Sequence, residues 1–213
     1  MTITKEIYLI RHGETEYNKL GIVQGSGLDA PLNEKGQRQA EAFFKMYGDV
    51  AFDKIYASQL KRSYQSIAGF EKKGIPLEKY EGLNEISWGK FEKKQMDTFD
   101  RQYLYDLIES WKAGEVDKPI FGGESPLDVQ KRQQPVIDLI LSRTEEKKIL
   151  ICMHGRAMRV LLCTLLGKPL TEMESFPHHN LGLYHLILDD EGSLETQKEN
   201  CIAHLAHEEL PLH

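Results

Sequence analysis

Short apolar runs alternate with longer amphipathic stretches along this chain, in an order that predicts an α/β fold. Residues 5–11 carry Ile7-Tyr8-Leu9-Ile10 and read as a buried strand that stops at Arg11-His12-Gly13. Two further strands, over 52–57 and 148–153, stop at Ser58 and at His154-Gly155. The spacing of Ala40, Phe43, Phe44 and Tyr47 predicts a helix over 34–47 behind Asn33 as its cap. Ser58 reads as the N-cap of a second helix that reaches about Phe70. A short strand near 78–80 and a loop over 83–89 precede an aromatic-rich helix at 95–112. Ser125, with Pro126 at the first helical position and Asp128 three after the cap, opens another helix, in which Pro135 predicts a kink. The nearly all-apolar 157–166 predicts a buried helix stopped by Gly167, and strands at 181–188 and 194–199 follow. The connection over 14–33 is long for a compact domain, which marks it as a functional loop.

Composition narrows the class. The 213 residues fit one sizeable domain, and 40% hydrophobic with 28% charged residues is the balance of an ordinary globular protein. With 27 basic against 33 acidic residues the net charge is -6, so the chain has no general attraction to nucleic acid or to an anionic membrane. Any anion site must be a local pocket. Cys152, Cys163 and Cys201 form no Cys-x-x-Cys pair; two lie in apolar elements, as buried free thiols of a reducing compartment do. The run before Arg11 is too short for a signal-peptide core, and no apolar run approaches a membrane span. The expected location is the cytoplasm. Oligomeric state is not legible.

Three strands thus end in reactive residues: Arg11-His12, Ser58 with Arg62 one turn on, and His154-Gly155. Parallel strands bring their carboxyl ends to one edge, where open α/β sheets bind ligands. Two guanidiniums and two imidazoles converging in an acidic protein call for an anion, and phosphate fits the bidentate arginine fork. His12, His154 and Glu85 could instead form a two-histidine, one-carboxylate metal site, but Arg11 and Arg62 would repel the cation. No metal and no cofactor is expected. A serine hydrolase is disfavoured because no Gly-x-Ser-x-Gly elbow is present.

Arg11-His12-Gly13-Glu14-Thr15 with Asn18 and Gln24-Gly25 resembles the signature of the histidine phosphatase superfamily, in the branch that includes the cofactor-dependent phosphoglycerate mutases. Ser58-Gln59-Leu60-Lys61-Arg62 with Gln65 and Ser66 resembles its second motif. Leu83-Asn84-Glu85 with Trp88-Gly89 and Phe91-Glu92 is similar to its acid-bearing loop. Gly122-Gly123-Glu124-Ser125 and Met153-His154-Gly155 match the remaining two, so the likeness runs from about 5 to 185 in order.

The resemblance implies a three-layer α/β/α sandwich with a mostly parallel central sheet and an antiparallel edge strand. It implies one domain over 1–213, with a helical lid or insertion at about 90–123. It also implies that His12 attacks phosphorus to form a phosphohistidine, while Arg11, Arg62 and His154 hold the phosphoryl oxygens. Glu85 would then be protonated to serve the leaving alkoxide, before activating water. Asn18 and the Gln24-Gly25 region would bind the phosphate or the leaving group. The substrate would be a small phosphorylated metabolite.

Mutases of the superfamily look longer, with basic insertions after the acid loop. Here the segment 90–111 offers Lys93, Lys94 and Arg101 but no adjacent arginine pair. The loop over 22–32 also looks like the fructose-2,6-bisphosphatase and broad-specificity phosphatase branch. A phosphatase is therefore expected over a mutase, and over a catalytically silent phospho-ligand or protein-binding module, which need not keep Glu85. Arg156 departs from the family, which usually has a small residue after His-Gly. It is either a surface ion pair or a second anion contact in the active site. Arg159 should snorkel or meet a carboxylate. Tyr103 or Trp111 are candidates for the substrate mouth. His178, His179, His204, His207 and His213 read as surface histidines.

Overall fold

The computed structural model describes residues 2–206. Strands β1 (Ile3–Arg11), β2 (Lys54–Ser58), β3 (Leu77–Tyr80), β4 (Lys148–Met153), β5 (Leu183–Asp189) and β6 (Leu194–Cys201) form one sheet in the order β3-β2-β4-β1-β5-β6. The first four run parallel, and β5 and β6 add an antiparallel hairpin at one edge. Arg11 stands opposite Met153, and Ala57 opposite Cys152, so β1, β2 and β4 finish level with one another.

Alternation along β1 assigns its two faces. Ile7 and Leu9 pack with Ile149 and Ile151 beneath α4 (Thr98–Lys112), α5 (Pro126–Ser142) and α6 (Gly155–Leu165). Tyr8 and Ile10 pack with Leu150 and Cys152 beneath α2 (Glu34–Tyr47) and α3 (Lys61–Lys72). Buried on both faces, the sheet is the middle of three layers.

Local signals set the helix boundaries. Asn33 Oδ1 accepts from Gly36 N at 2.8 Å to start α2. Ser125 and Asp128 close a reciprocal capping box at the head of α5, which continues through Pro135. Asp97 and Asp100 do the same for α4. At the other end of α5, Lys5 reaches up from β1, 1% exposed, and donates to the Ile140 and Arg143 carbonyls at 2.7 and 2.9 Å. The long loop after β1 contains α1 (Glu16–Lys19), capped by Thr15.

Two expectations change. Ser58 is the last residue of β2 and not a helix cap; α3 starts behind Leu60 without a side-chain cap. His204 is buried, 5% exposed, edge-on to Phe43 at 5.1 Å, because the chain after β6 folds back over α2. His207 and His213 lie outside the described residues. No described helix is long and apolar enough to cross a membrane. Cys152, Cys163 and Cys201 are free thiols.

Candidate active site

The site opens where β1, β4 and α6 meet. A cavity of about 180 Å³ is lined by Arg11, His12, Asn18, Gln24, Glu85 and Arg156, together with Ile22, Val23, Trp88, Gly155 and His178. Most of the expected residues therefore share one small pocket. Arg62 and His154 converge on the same place but lie behind it, each 0% exposed.

His12 sits just past β1, 3% exposed. Its Nδ1 faces the Gly13 carbonyl at 2.7 Å. A carbonyl only accepts, so Nδ1 carries the proton and Nε2 keeps its lone pair. Burial, then the charges of Arg62 and Arg11, hold its pKa well below the usual histidine range. That shift favours the neutral ring, whose Nε2 lone pair is available to a ligand in the cavity. Its backbone is fixed by His12 N to Met153 O at 3.0 Å and by Asn180 Nδ2 to His12 O at 2.9 Å. Gly13 marks a close approach of two backbones. A Cβ there would fall 2.7 Å from the Gly36 carbonyl oxygen, so the glycine admits the head of α2, with a backbone N–H held by Ser66 Oγ at 2.9 Å.

His154 is clamped from both sides. Arg62 Nε donates to its Nδ1 at 3.2 Å, which leaves its Nε2–H to donate to Ser58 Oγ at 2.7 Å. Its ring centroid lies 5.1 Å from that of His12. Arg62 donates its remaining bonds to the carbonyls of Leu28 and Gly25, at 2.6 and 3.2 Å. Burial lowers its pKa to about 10, so it remains a cation behind His12. Gly25 serves this packing: a Cβ would sit 2.1 Å from Glu92 Oε1 and 2.8 Å from the Ile86 carbonyl oxygen.

Glu85 lies over the amino terminus of α6. Its Oε1 accepts from Ile86 N at 2.9 Å and Ala157 N at 2.8 Å, and its Oε2 from Arg156 N at 3.1 Å. A helix start supplies such donors naturally. Oε1 is filled, whereas Oε2 retains a position for a proton. The loop behind it is pinned by Arg132, which donates to Gly82 O at 2.8 Å and Glu85 O at 3.0 Å while pairing with Glu124. Glu124 in turn accepts from Ser87 N at 2.8 Å.

Other cavity groups keep spare valence. Arg11 Nη1 donates to the His178 carbonyl at 2.8 Å, while its Nε is buried with no partner among the described residues. Gln24 Nε2 donates to Thr15 Oγ1 at 2.6 Å, and its Oε1 is likewise buried and open. Asn18 turns its Oδ1 to Thr15 N at 3.1 Å.

Sequence reasoning missed His178. It is a wall of the cavity, and burial, then Arg11, pushes its pKa down to about 3. Arg132, Glu174 and Asn180 were missed as well. Trp111 does not line the mouth; it is 0% exposed and bonds Lys118 O through its indole N–H at 2.8 Å. Tyr103 stacks on Phe91 with centroids 5.3 Å apart, outside the cavity. Among the described residues, no three His, Cys, Asp or Glu side chains are grouped to hold a metal.

Residues 7–200 match the family model described as histidine phosphatase superfamily (branch 1). The chain belongs to that superfamily. A probable phosphoglycerate mutase GpmB of Erwinia tasmaniensis is 32% identical over 77% of this chain and 76% of its own. Phosphoserine phosphatase 1 of Hydrogenobacter thermophilus is 29% identical over 94% of each. Among solved structures, YhfR of Bacillus stearothermophilus superposes with a TM-score of 0.81 at 28% identity, over 94% of this chain and 99% of that one. The histidine phosphatase architecture thus accounts for both the sheet order and the strand-end site.

Proposed function

We propose that this histidine phosphatase hydrolyses a small phosphomonoester through a phosphohistidine on His12. The observation that carries this reading is the His12 ring: neutral, with Nδ1–H bound to the Gly13 carbonyl and Nε2 free. Nε2 attacks phosphorus as the ester P–O bond breaks, and Glu85 gives its proton to the departing alkoxide. Water then loses a proton to Glu85 and attacks the phosphohistidine. The P–N bond breaks and inorganic phosphate leaves. Arg11 offers its open Nε–H to a phosphoryl oxygen, and the buried Arg62 adds positive charge behind the reacting atoms. His154 holds Arg62 and Ser58 in place beside His12. Gln24 Oε1 accepts from a hydroxyl of the leaving group, and Asn18 lines its path.

Phosphatase is favoured over mutase because no cavity residue comes from 90–123. Lys94 is paired with Asp100 at 2.5 Å, and Lys90 lies over the rings of Phe91, Tyr103 and Phe121. A basic cage for a second phosphate is thus missing from that segment among the described residues. The same segment is a helical insertion that backs the cavity wall, with Trp111 behind the Arg156 guanidinium. Free thiols suit a reducing, cytoplasmic setting. The test is p-nitrophenyl phosphate turnover across pH 5–8, with a denaturing alkaline quench, in which a phosphohistidine survives, to trap the phosphoryl label. Turnover with an acid-labile phosphoryl group on His12, both lost in His12→Ala, is expected. No turnover and no label would leave only a phospho-ligand binder.

A further inference from the structure

Arg156 stands on the cavity wall with hydrogen-bonding capacity to spare. Its Nη1 pairs with Glu174, while Nε and Nη2 bond to no described residue. That pairing leaves it a net cation. Glu174 also holds Arg159 at 2.5 Å, so two guanidiniums share one carboxylate. Trp88 and Trp111 flank the guanidinium carbon, with ring centroids 5.8 and 5.6 Å away, and fix its position. Burial, then Arg159, pushes its pKa down to about 9, which keeps the charge at neutral pH. A purely structural latch between α6 and the turn Leu170–Ser175 would need neither the surplus charge nor free donors at a cavity.

Its place on the reaction path is set by Glu85. The Arg156 backbone N–H donates to Glu85 Oε2, the atom with room for the transferred proton. The leaving-group oxygen must come to that atom. The Arg156 side chain starts there, so it lies along whatever the leaving oxygen is attached to.

Resting on the phosphatase reading above, we infer that Arg156 forms a second anion subsite, and that the leaving group carries a carboxylate. One surplus positive charge matches a monoanion, and the guanidinium fork matches a planar carboxylate. The cavity of about 180 Å³ suits a phosphoryl group on a short carbon chain and is cramped for a sugar bisphosphate. The substrate class is therefore a small phosphorylated hydroxy acid or amino acid.

Two esters isolate the point: 3-phosphoglycerate and glycerol 3-phosphate differ only by a carboxylate against a hydroxymethyl group. The wild-type enzyme should favour the acid by on the order of 10- to 100-fold in kcat/KM, mostly through KM, the size of one hydrogen-bonded charge contact. Arg156→Met should remove most of that preference and Arg156→Lys restore part of it. Glu174→Gln, which leaves the arginine pair without its carboxylate, should increase it. No preference in the wild type overturns the subsite without needing any variant to fold, as do equal losses on both esters in Arg156→Met. Turnover of p-nitrophenyl phosphate separates the two claims: its absence in the wild type sinks the phosphatase reading, whereas its presence without carboxylate preference sinks the subsite alone.

Discussion

Lowering the pH should unfold this protein before it protonates the nucleophile. His12, His154 and His204 are 3%, 0% and 5% exposed, and burial leads the lowering of all three pKa values, His204 to about 4. In the unfolded chain each returns to about 6.5. Above that pH neither state binds the proton, and stability is at its full value. Below it the unfolded chain takes up protons that the fold refuses, so stability falls as pH drops toward the folded values. At pH 5 His204, with its folded value of about 4, contributes about 2 kcal/mol of this loss, and His12 and His154 act in the same direction. His204 provides the test because it is remote from the reaction. Its ring meets the Leu181 backbone but forms no side-chain hydrogen bond among the described residues, so His204→Leu strands no other side chain. Urea unfolding followed by circular dichroism at pH 8 and pH 5 should show the variant losing about 2 kcal/mol less than the wild type. An identical loss in both proteins would refute the reasoning. Phosphatase activity, assayed while the fold persists, should not show a His12 protonation near pH 6.5.

Three further perturbations probe the site and its frame. Glu85→Gln keeps an oxygen for the α6 backbone but cannot move a proton, so kcat should fall by roughly 10²- to 10⁴-fold with little change in Tm; an unchanged kcat would remove Glu85 from the mechanism. Arg132→Met frees the acid loop from Gly82, Glu85 and Glu124. It should lower kcat on the order of 10- to 100-fold by displacing the acid, and a pure KM effect would argue against that positioning role. Lys5→Met strands the Ile140 and Arg143 carbonyls at the end of α5, at a cost of about 2 kcal/mol in urea unfolding; no shift in the midpoint would show that water replaces the ammonium.

The strand ends were legible because each is a local signal: an apolar run of fixed length followed at once by Arg-His, Ser or His-Gly. Asn33, Ser125 and Asp128 were legible for the same reason, since a cap and its partner lie within three residues. His178 was not. What draws it into the cavity is Arg11, 167 positions earlier, which donates to its carbonyl. The hydrophobic pattern around His178-His179 carries no trace of that contact. Ser58 failed differently: as a serine before a helix it has the composition of a cap, but it ends β2, and its hydroxyl is shared between Leu60 N and His154, the residue after β4. Arg156 was legible as an oddity, and only packing decides that it lies between two indoles instead of in solvent.

The reversed strand β5 has a consequence for how the site can vary. Because it runs against β1, the residues that precede it arrive at the edge where the parallel strands finish. Leu181, buried and in a left-handed conformation at φ 57, is tied by its N–H to the Arg11 carbonyl at 3.1 Å and turns the chain into the strand. Outgoing chain therefore supplies the chemistry and incoming chain supplies a wall. The two come from separate tracts of sequence, so the side chains of 176–179 can be rewritten to admit another leaving group while Asn180, which holds the His12 carbonyl, keeps the phosphate cradle in shape.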